Sequence, residues 1–303
     1  MIHLKDRFSV RLQRGGARGG AVLGLALLTL TGCSSFFNST HDTENTVATA
    51  VPVAGPAKFH HRVSQYMFYS DFALNKNAPI FQELSDLRDQ LYKELQLPES
   101  NTLIQVFLFE DQDKYEKYMR AKYSELPVRR AFFIEQPRSG APSELMVFTY
   151  WGEHIRQDLR HELTHGLLHS ALPSVPIWLD EGFAEVFELP PDRDGVNALH
   201  LEQLRRGPVQ PDLGRLERLS QVDQMLRPEY REAWAWVHMM LRGKPESKAV
   251  LLSYLQQLRT QTPPPGGLAA KLKEVHPVPN DALAEHLTRI KLPRAARATS
   301  AEK

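Results

Sequence analysis

The chain contains 303 residues, with 37 lysines and arginines, 36 aspartates and glutamates, and a single cysteine. A charge this evenly balanced provides no basic surface for nucleic acid, and a single cysteine excludes an intramolecular disulfide. The length is sufficient for one substantial hydrophobic core or two small lobes, and we find no internal repeat.

The N-terminal residues have the pattern of a targeting segment. Five basic residues lie between Lys5 and Arg18, and an apolar run over residues 21–30 follows them. That run is too short to span a bilayer comfortably. It ends in Leu30-Thr31-Gly32-Cys33, which resembles the lipobox of bacterial lipoproteins. We therefore predict a signal peptide over residues 1–32. These residues hold five basic side chains and one Asp, so their removal changes the net charge from +1 to about −3.

The lipobox resemblance implies a membrane anchor at Cys33. In such proteins the chain is cut before the cysteine, which is then lipidated; the alternative is a free structural cysteine. Ser34, rather than an aspartate, follows Cys33, and in lipoproteins of Gram-negative bacteria this resembles an outer-membrane sorting signal. The resemblance thus implies a location in the bacterial cell envelope, with a lipid anchor in the outer membrane and the domain facing the periplasm.

Three further regions follow Gly32. Residues 33–56 are rich in Ser, Thr, Ala, Val and Pro without periodicity, which predicts a flexible tether. Residues 57–292 form the predicted folded domain. Residues 293–303 are polar and basic, and we expect a disordered tail.

Strand and helix signals alternate in the first half of the domain. Continuous apolar runs and mixed aromatic segments predict strands, and apolar residues at helical spacing predict helices. The predicted strands are residues 63–72, 103–109, 131–135 and 145–150, and the predicted helices are residues 78–95 and 114–123.

The second half is predicted to be mostly helical. The helices are expected over residues 153–171, 177–188, 197–206, 230–242, 246–260 and 280–290. A run of prolines and glycines over residues 263–267 predicts a break. The order predicts an α+β fold, in which a small mixed β-sheet lobe precedes a mainly helical lobe.

A metal-binding motif lies in the predicted helix 153–171. His161-Glu162-Leu163-Thr164-His165 fits H-E-x-x-H, and positions four apart lie on one helical face. Two imidazoles placed in this way can share one Zn²⁺. Glu162 can then reach a water on the metal without being a ligand, which is the general-base position of a metallopeptidase. The alternative is an amphipathic helix with two surface histidines.

A catalytic zinc needs a third protein ligand, and we assign it to Glu181. This residue lies near the start of the second predicted helix, residues 177–188, which Trp178 and Leu179 would anchor in the core. Gly182 would remove a side chain beside the metal and allow close approach. Asp180 is the competing ligand, but on a helix it points about 100° away from Glu181.

The two segments together resemble those of the gluzincins, the thermolysin-like clan of zinc metallopeptidases. The resemblance rests on the H-E-x-x-H motif, on the downstream Glu181, and on Trp-Leu-Asp-Glu-Gly-Phe-Ala over residues 178–184. That heptapeptide resembles Trp-Leu-Asn-Glu-Gly-Phe-Ala of the clan's aminopeptidases, and is closer still to a group of bacterial gluzincin-like lipoproteins. The resemblance implies a thermolysin-like arrangement with the active-site helix between two lobes. It also implies that the strand before this helix, residues 145–150, lies at the sheet edge, where it can pair with an extended peptide.

The metzincins provide an alternative that the sequence does not support. That family needs a glycine three residues and a histidine six residues after the second His, and these positions are Leu168 and Ala171. His169 has the wrong spacing for a ligand, so we interpret it as a surface or packing histidine of the helix.

The resemblance also implies roles for residues outside the motif. Glu185 lies on the same helical face as Glu181, and in gluzincins an acidic residue there often hydrogen-bonds a metal-ligating histidine. Tyr230 resembles the tyrosine that stabilises the oxyanion in the clan's aminopeptidases. His238 is the rival donor, and a tyrosine that only anchors the start of a helix is the plainer interpretation.

The sequence therefore predicts a lipid-anchored zinc peptidase that acts on peptides or proteins. The clan's aminopeptidases carry a Gly-x-Met-Glu-Asn segment that grips the substrate's free amine. The chain has no such segment, which favours endopeptidase action. The alternative is a non-catalytic envelope lipoprotein in which zinc supports the fold and the fold serves assembly or partner binding. A structural zinc normally has four protein ligands, and the sequence offers three.

Overall fold

The computed structural model describes residues 9–11, 55–207, 211–260 and 266–292. Within these ranges, a single mixed sheet is followed by a mainly helical region, so the predicted α+β class is confirmed. Cys33, most of the predicted signal peptide and tether, and the predicted tail 293–303 lie outside the described residues. No helix of the described ranges has both the length and the apolar character needed to cross a bilayer.

The sheet has six strands in the order β1-β5-β6-β4-β3-β2. They are β1 (Ser9–Arg11), β2 (Phe59–Val63), β3 (Tyr66–Ser70), β4 (Ile104–Phe109), β5 (Ala131–Arg138) and β6 (Ala141–Tyr150). The pairs β2–β3 and β5–β6 are antiparallel, while β3–β4, β4–β6 and β1–β5 are parallel. The strand predicted over residues 63–72 corresponds to β3, which is shorter than predicted. Strand β2 was not predicted; it pairs with β3 as a hairpin whose turn holds Ser64 at a φ of +51°.

The position of β6 also differs from the expectation. It lies between β5 and β4, so residues 145–150 are interior and not at the sheet edge. The reason is the tight β5–β6 connection at Gly140, whose φ of +72° suits glycine. This turn folds β5 back onto the outer side of β6. The outer neighbour of β5 is β1, a three-residue strand from the predicted signal peptide, with Ser9 opposite Phe133 and Arg11 opposite Glu135.

The helices agree with the predicted positions apart from two additions. They are α1 (Pro79–Leu95), α2 (Gln112–Lys122), α3 (Ile155–Ala171), α4 (Ile177–Phe187), α5 (Ala198–Arg206), α6 (Leu213–Leu216), α7 (Arg227–Arg242), α8 (Pro245–Leu258), α9 (Leu268–Val275) and α10 (Pro279–Arg289). Helices α6 and α9 were not predicted. Helix α7 begins before the predicted residue 230, because Pro228 is accepted in a first helical turn.

The two faces of the sheet bury separate apolar clusters because side chains alternate along each strand. Phe133 of β5 joins the large cluster that also contains the apolar residues of α1, α3, α4 and α7. Its neighbours Phe132 and Ile134 join a smaller cluster with Tyr115 and Met119 of α2. Helix α3 therefore lies under the sheet on the same side as Phe133, and α4 packs between α3 and α7.

Candidate metal centre

Helix α3 carries the predicted motif in a fully enclosed position. His161, Glu162 and His165 have no solvent exposure, because the sheet covers one side of α3 and α4 covers another. The alternative of two surface histidines is therefore wrong. Polar side chains enclosed in this way need partners, since an unpaired polar group in the interior costs about 1–3 kcal/mol.

The structure brings the three predicted ligands together. Nε2 of His161 and Nε2 of His165 each lie 3.6 Å from Oε2 of Glu181. Donor atoms that share a tetrahedral zinc at 2.0–2.1 Å lie about 3.3–3.5 Å apart, so the three atoms surround a space of suitable size. Nε2 of His165 and both carboxylate oxygens of Glu181 are buried without a hydrogen-bond partner. A divalent metal ion would give these atoms the partners that the protein does not, so the residues fit zinc.

The other ring nitrogen of each histidine faces a carboxylate. Nδ1 of His161 lies 2.9 Å from Oε2 of Glu188, and Nδ1 of His165 lies 3.0 Å from Oδ1 of Asp180. Such partners favour a proton on Nδ1 and leave the Nε2 lone pair for a metal. Asp180, the rival ligand in the sequence, thus orients a histidine, and Glu181 is the residue brought to the other two ligands.

Glu188 has the role that the resemblance implied for Glu185. Glu185 accepts a hydrogen bond from His200 instead, with 3.0 Å between Oε2 and Nε2. One oxygen of Glu185 still lies within 4.8 Å of a nitrogen of His161 and an oxygen of Glu188. The sequence did contain a signal for Glu188, since it follows Glu181 by seven positions and so lies on the same face of the predicted helix 177–188.

Gly182 allows a close approach, but not beside the metal ligands. A Cβ atom there would lie 2.6 Å from Cγ2 of Val237 and 2.8 Å from the carbonyl oxygen of Ala233. The glycine therefore brings α4 against α7. Trp178 and Leu179 are buried as predicted and anchor the same helix in the core.

Tyr230 and His238, the two candidate oxyanion donors, have different surroundings. The hydroxyl of Tyr230 is buried without a hydrogen-bond partner. Burial raises the pKa of Tyr230 well above its ordinary value, and the nearby charges of Glu181, Glu185 and Glu162 raise it further. Both ring nitrogens of His238 are engaged, Nδ1 with His286 at 2.9 Å and Nε2 with the carbonyl oxygen of Asp194 at 3.2 Å. The geometry favours Tyr230.

A second buried phenol near Glu162 was not found in the sequence. The hydroxyl of Tyr115 on α2 is buried and has no hydrogen-bond partner. Burial raises the pKa of Tyr115 well above its ordinary value, and the charge of Glu162 is the next largest cause. Helical spacing in the predicted helix 114–123 indicates only that Tyr115 faces inward, and no other signal in the sequence points to it.

His169 is neither on the surface nor a simple packing residue. Its Nδ1 lies 2.9 Å from Oε2 of Glu135 on β5, and its Nε2 lies 3.1 Å from Oδ2 of Asp180 on α4. Burial disfavours the charged ring, but the two carboxylates outweigh this effect and raise the pKa of His169 to about 10. The histidine after the motif is therefore a cation between two buried anions.

The polar atoms of the centre are closed off from solvent in this structure. Nε2 of His165, both oxygens of Glu181 and the hydroxyl of Tyr230 expose essentially no surface. The connection over residues 124–130 lies close by. Arg130, at the end of this connection, binds Asp158 of α3 with 2.8 Å between Nη2 and Oδ1. The charge of Arg129 opposes the rise in the pKa of Tyr230.

Comparison of the chain with protein-family models finds no match, and comparison with curated proteins finds none either. The resemblance to gluzincins therefore rests on the motif residues and on the way the fold brings them together.

Proposed function

We propose that the protein is a zinc-dependent peptidase of gluzincin type with a thermolysin-like arrangement. The observation that carries the proposal is the meeting of His161, His165 and Glu181 around one buried space, with Glu162 in the same turn of α3. Three protein ligands leave one position open, as catalytic zinc sites require. The lack of a segment that grips a free amine favours endopeptidase action on peptides or proteins.

The residues of the chain have distinct tasks in this proposal. When bound, zinc would polarise the scissile carbonyl and lower the pKa of a water molecule. Glu162 accepts the proton of the attacking water and passes it to the leaving amine. Tyr230 donates its hydroxyl hydrogen to the developing oxyanion. Glu188 and Asp180 hold the two histidine rings in the orientation that directs Nε2 to the metal.

The experiment compares the purified Glu162→Gln variant with the purified unaltered protein. The zinc content is measured by metal analysis, and hydrolysis is measured by a proteome-wide cleavage assay. Glu162→Gln should retain one zinc per chain and lose hydrolysis by about 10²–10⁴-fold, because a general base contributes that much. Glu181→Gln should lose both zinc and hydrolysis, because it removes a ligand charge. Glu153→Gln, an exposed position before α3, is the control and should change neither. A metal-replete protein without stoichiometric zinc contradicts the proposal.

The proposed location is the cell envelope, with a lipid on Cys33. The lipobox residues 30–33 support this anchor, and Ser34 supports outer-membrane sorting. In a bacterial host, Cys33→Ser should abolish labelling by fatty acid and release the protein from membranes. Fatty-acid labelling that persists in this variant contradicts the assignment.

One observation favours a second candidate, a non-catalytic lipoprotein in which zinc supports the fold. The donor atoms expose essentially no surface, as in a structural site. This candidate predicts that Glu162→Gln supports the biological function fully while His161→Ala does not. The peptidase proposal predicts that both variants lose the biological function.

A further inference from the structure

A chain of four side chains, three of them buried and His169 mostly buried, extends from the candidate ligand His165 to the sheet. Asp180 contacts His165 through Oδ1 at 3.0 Å and His169 through Oδ2 at 3.1 Å. His169 in turn contacts Glu135 at 2.9 Å. The four residues join α3, α4 and β5, and we refer to Glu135, His169 and Asp180 as the orienting chain.

The protons of the orienting chain follow from the types of its atoms. A carboxylate only accepts hydrogen bonds, so both ring nitrogens of His169 must donate, one to Glu135 and one to Asp180. This leaves the other oxygen of Asp180 to face Nδ1 of His165. Those two atoms lie 3.0 Å apart but are not aligned as a hydrogen bond.

The surroundings shield most of the orienting chain from solvent. Glu135 and Asp180 are 6% and 5% exposed, and the side chain of His169 is 13% exposed. The ring of Phe133 packs edge-on against His169, with 5.1 Å between centroids, and stacks on His165 at 5.9 Å. Charge contacts without water between them are stronger and more dependent on geometry than surface pairs.

We propose that His169 and Glu135 are positioning residues that hold Asp180 against His165 and thereby set the zinc affinity of the centre. This inference rests on the proposed zinc site. Without His169, the buried carboxylate of Asp180 loses a hydrogen-bond donor and its counter-charge, so nothing holds it in place against His165. Without the charge of Glu135, the Nδ1–H group of His169 loses its anionic acceptor. The ring is then no longer held in the orientation in which Nε2–H donates to Asp180.

A purely structural tie between β5, α3 and α4 is the competing explanation. It predicts a lower melting temperature for the variants but an unchanged zinc dissociation constant in the folded protein. Positioning instead predicts weaker zinc binding at temperatures where the variants are fully folded. The two readouts therefore separate the explanations.

The experiment measures zinc dissociation constants of the full chain by competition with a chelator at fixed pH, beside melting temperatures without metal. His169→Gln and Glu135→Gln should each weaken zinc binding about tenfold, the lower end of the range for partners of metal ligands. The double variant should be little weaker than either single variant, because the residues act as one unit. Glu144→Gln is the matched control. Its carboxylate lies on the adjacent strand β6 and pairs with Arg138 at 2.9 Å, so the zinc dissociation constant should not change.

A spectroscopic readout accompanies the affinities. In the zinc-loaded protein, the Nδ1–H proton of His165 should give a protected NMR signal that shifts or broadens in His169→Gln and stays in Glu144→Gln. Zinc dissociation constants within twofold of the unaltered protein in both variants overturn the inference and leave the peptidase proposal standing. Weaker binding in the variants without any peptide hydrolysis supports the inference and contradicts the peptidase. A protein that binds no zinc contradicts both.

Discussion

At the scale of single residues, each of the two candidate ligand histidines is paired with a carboxylate that fixes the direction of its ring. Glu188 and Asp180 hold the two histidines from the far side of their rings. Tyr230 has no such partner, and its hydroxyl is buried beside the carboxylates without a hydrogen bond. An unsatisfied hydroxyl that costs stability is expected where a ligand provides the missing acceptor.

Tyr230→Phe is therefore expected to reduce turnover without harming the fold. Loss of one oxyanion donor reduces kcat by about 10²–10³-fold, whereas removal of a buried hydroxyl without a partner leaves stability unchanged or slightly higher. The measurements are steady-state kinetics on a peptide substrate and thermal unfolding of the metal-free protein. Tyr254→Phe on α8 is the control and should leave kcat unchanged. Full turnover by Tyr230→Phe would exclude this residue as the donor.

How far the sequence predicts the site depends on where each partner lies along the chain. His161, His165 and Glu181 were predicted because helical spacing fixes the first two and a short turn limits the third. His169 was misjudged because its partner Glu135 lies 34 positions away on β5. No helical or strand period relates two such residues, so only the pairing of α3 with the sheet reveals the contact.

At the scale of elements, close approach between helices decides where the ligands meet. Helix α4 presents Glu181 to α3 on one face and Gly182 to α7 on another. The glycine was predicted to allow a close approach, but its partner could not be predicted, since α7 lies about fifty residues further along. The prediction that residues 145–150 lie at the sheet edge was wrong for the same reason. The positions of the strands were largely predicted, but their order β5-β6-β4 depends on a turn at Gly140.

Gly182→Ala should destabilise the protein by about 1–3 kcal/mol, the usual cost of inserting a methyl group into a packed contact. The helix propensity of alanine opposes this loss by less than about 1 kcal/mol. Because the backbone oxygen of Ala233 cannot move aside easily, α4 must shift, and zinc affinity should fall as well. Urea unfolding measures the first effect. Gly214→Ala is the control and should change stability little, because the added Cβ would make only ordinary contacts with Oδ1 of Asp212 at 3.4 Å and Nη1 of Arg218 at 3.7 Å.

The contact between α7 and α10 predicts that the protein loses folding stability in acid. Burial is the largest cause that lowers the pKa of His238, and the charges of its partner His286 and of Arg242 lower it further, to about 3. Burial and Arg289 lower the pKa of His286 to about 4. In the unfolded chain both rings titrate near 6.5, so the unfolded state binds more protons at acid pH. The stabilisation is complete above pH 6.5 and decreases as the pH falls from 6.5 towards 4.

The measurement is the free energy of unfolding between pH 7.5 and 4.5 in the purified protein. The unaltered protein should lose more stability over this interval than the variant with both His238→Gln and His286→Gln, whatever the stability of that variant at pH 7.5. His60→Gln, at an exposed position of β2, should retain the steep dependence. Equal slopes in the double variant and the unaltered protein would show that this pair is not the cause.

At the scale of the whole molecule, the candidate metal centre lies where the sheet and the helical region meet. Helix α3 packs under the sheet, α4 packs on α3 and α7, and the orienting chain reaches back to β5. The order of sheet and helices was predictable, because periodicity separates the two halves of the chain. Their docking was not, since it depends on contacts such as Glu135 with His169 that join distant segments.

Zinc is therefore expected to stabilise the molecule as a whole. A ligand that binds only the folded state adds RT ln(1 + [L]/Kd), which is about 4.1 kcal/mol when free zinc exceeds its dissociation constant a thousandfold. Treatment with a chelator should lower the melting temperature, and added zinc should restore it, because His161, His165 and Glu181 come together only when α3 and α4 are docked. Differential scanning calorimetry of the purified protein with and without zinc measures the shift. Glu181→Gln should reduce the shift strongly, whereas Glu153→Gln should retain it. A melting temperature that does not respond to zinc in the unaltered protein would contradict a metal centre at this position.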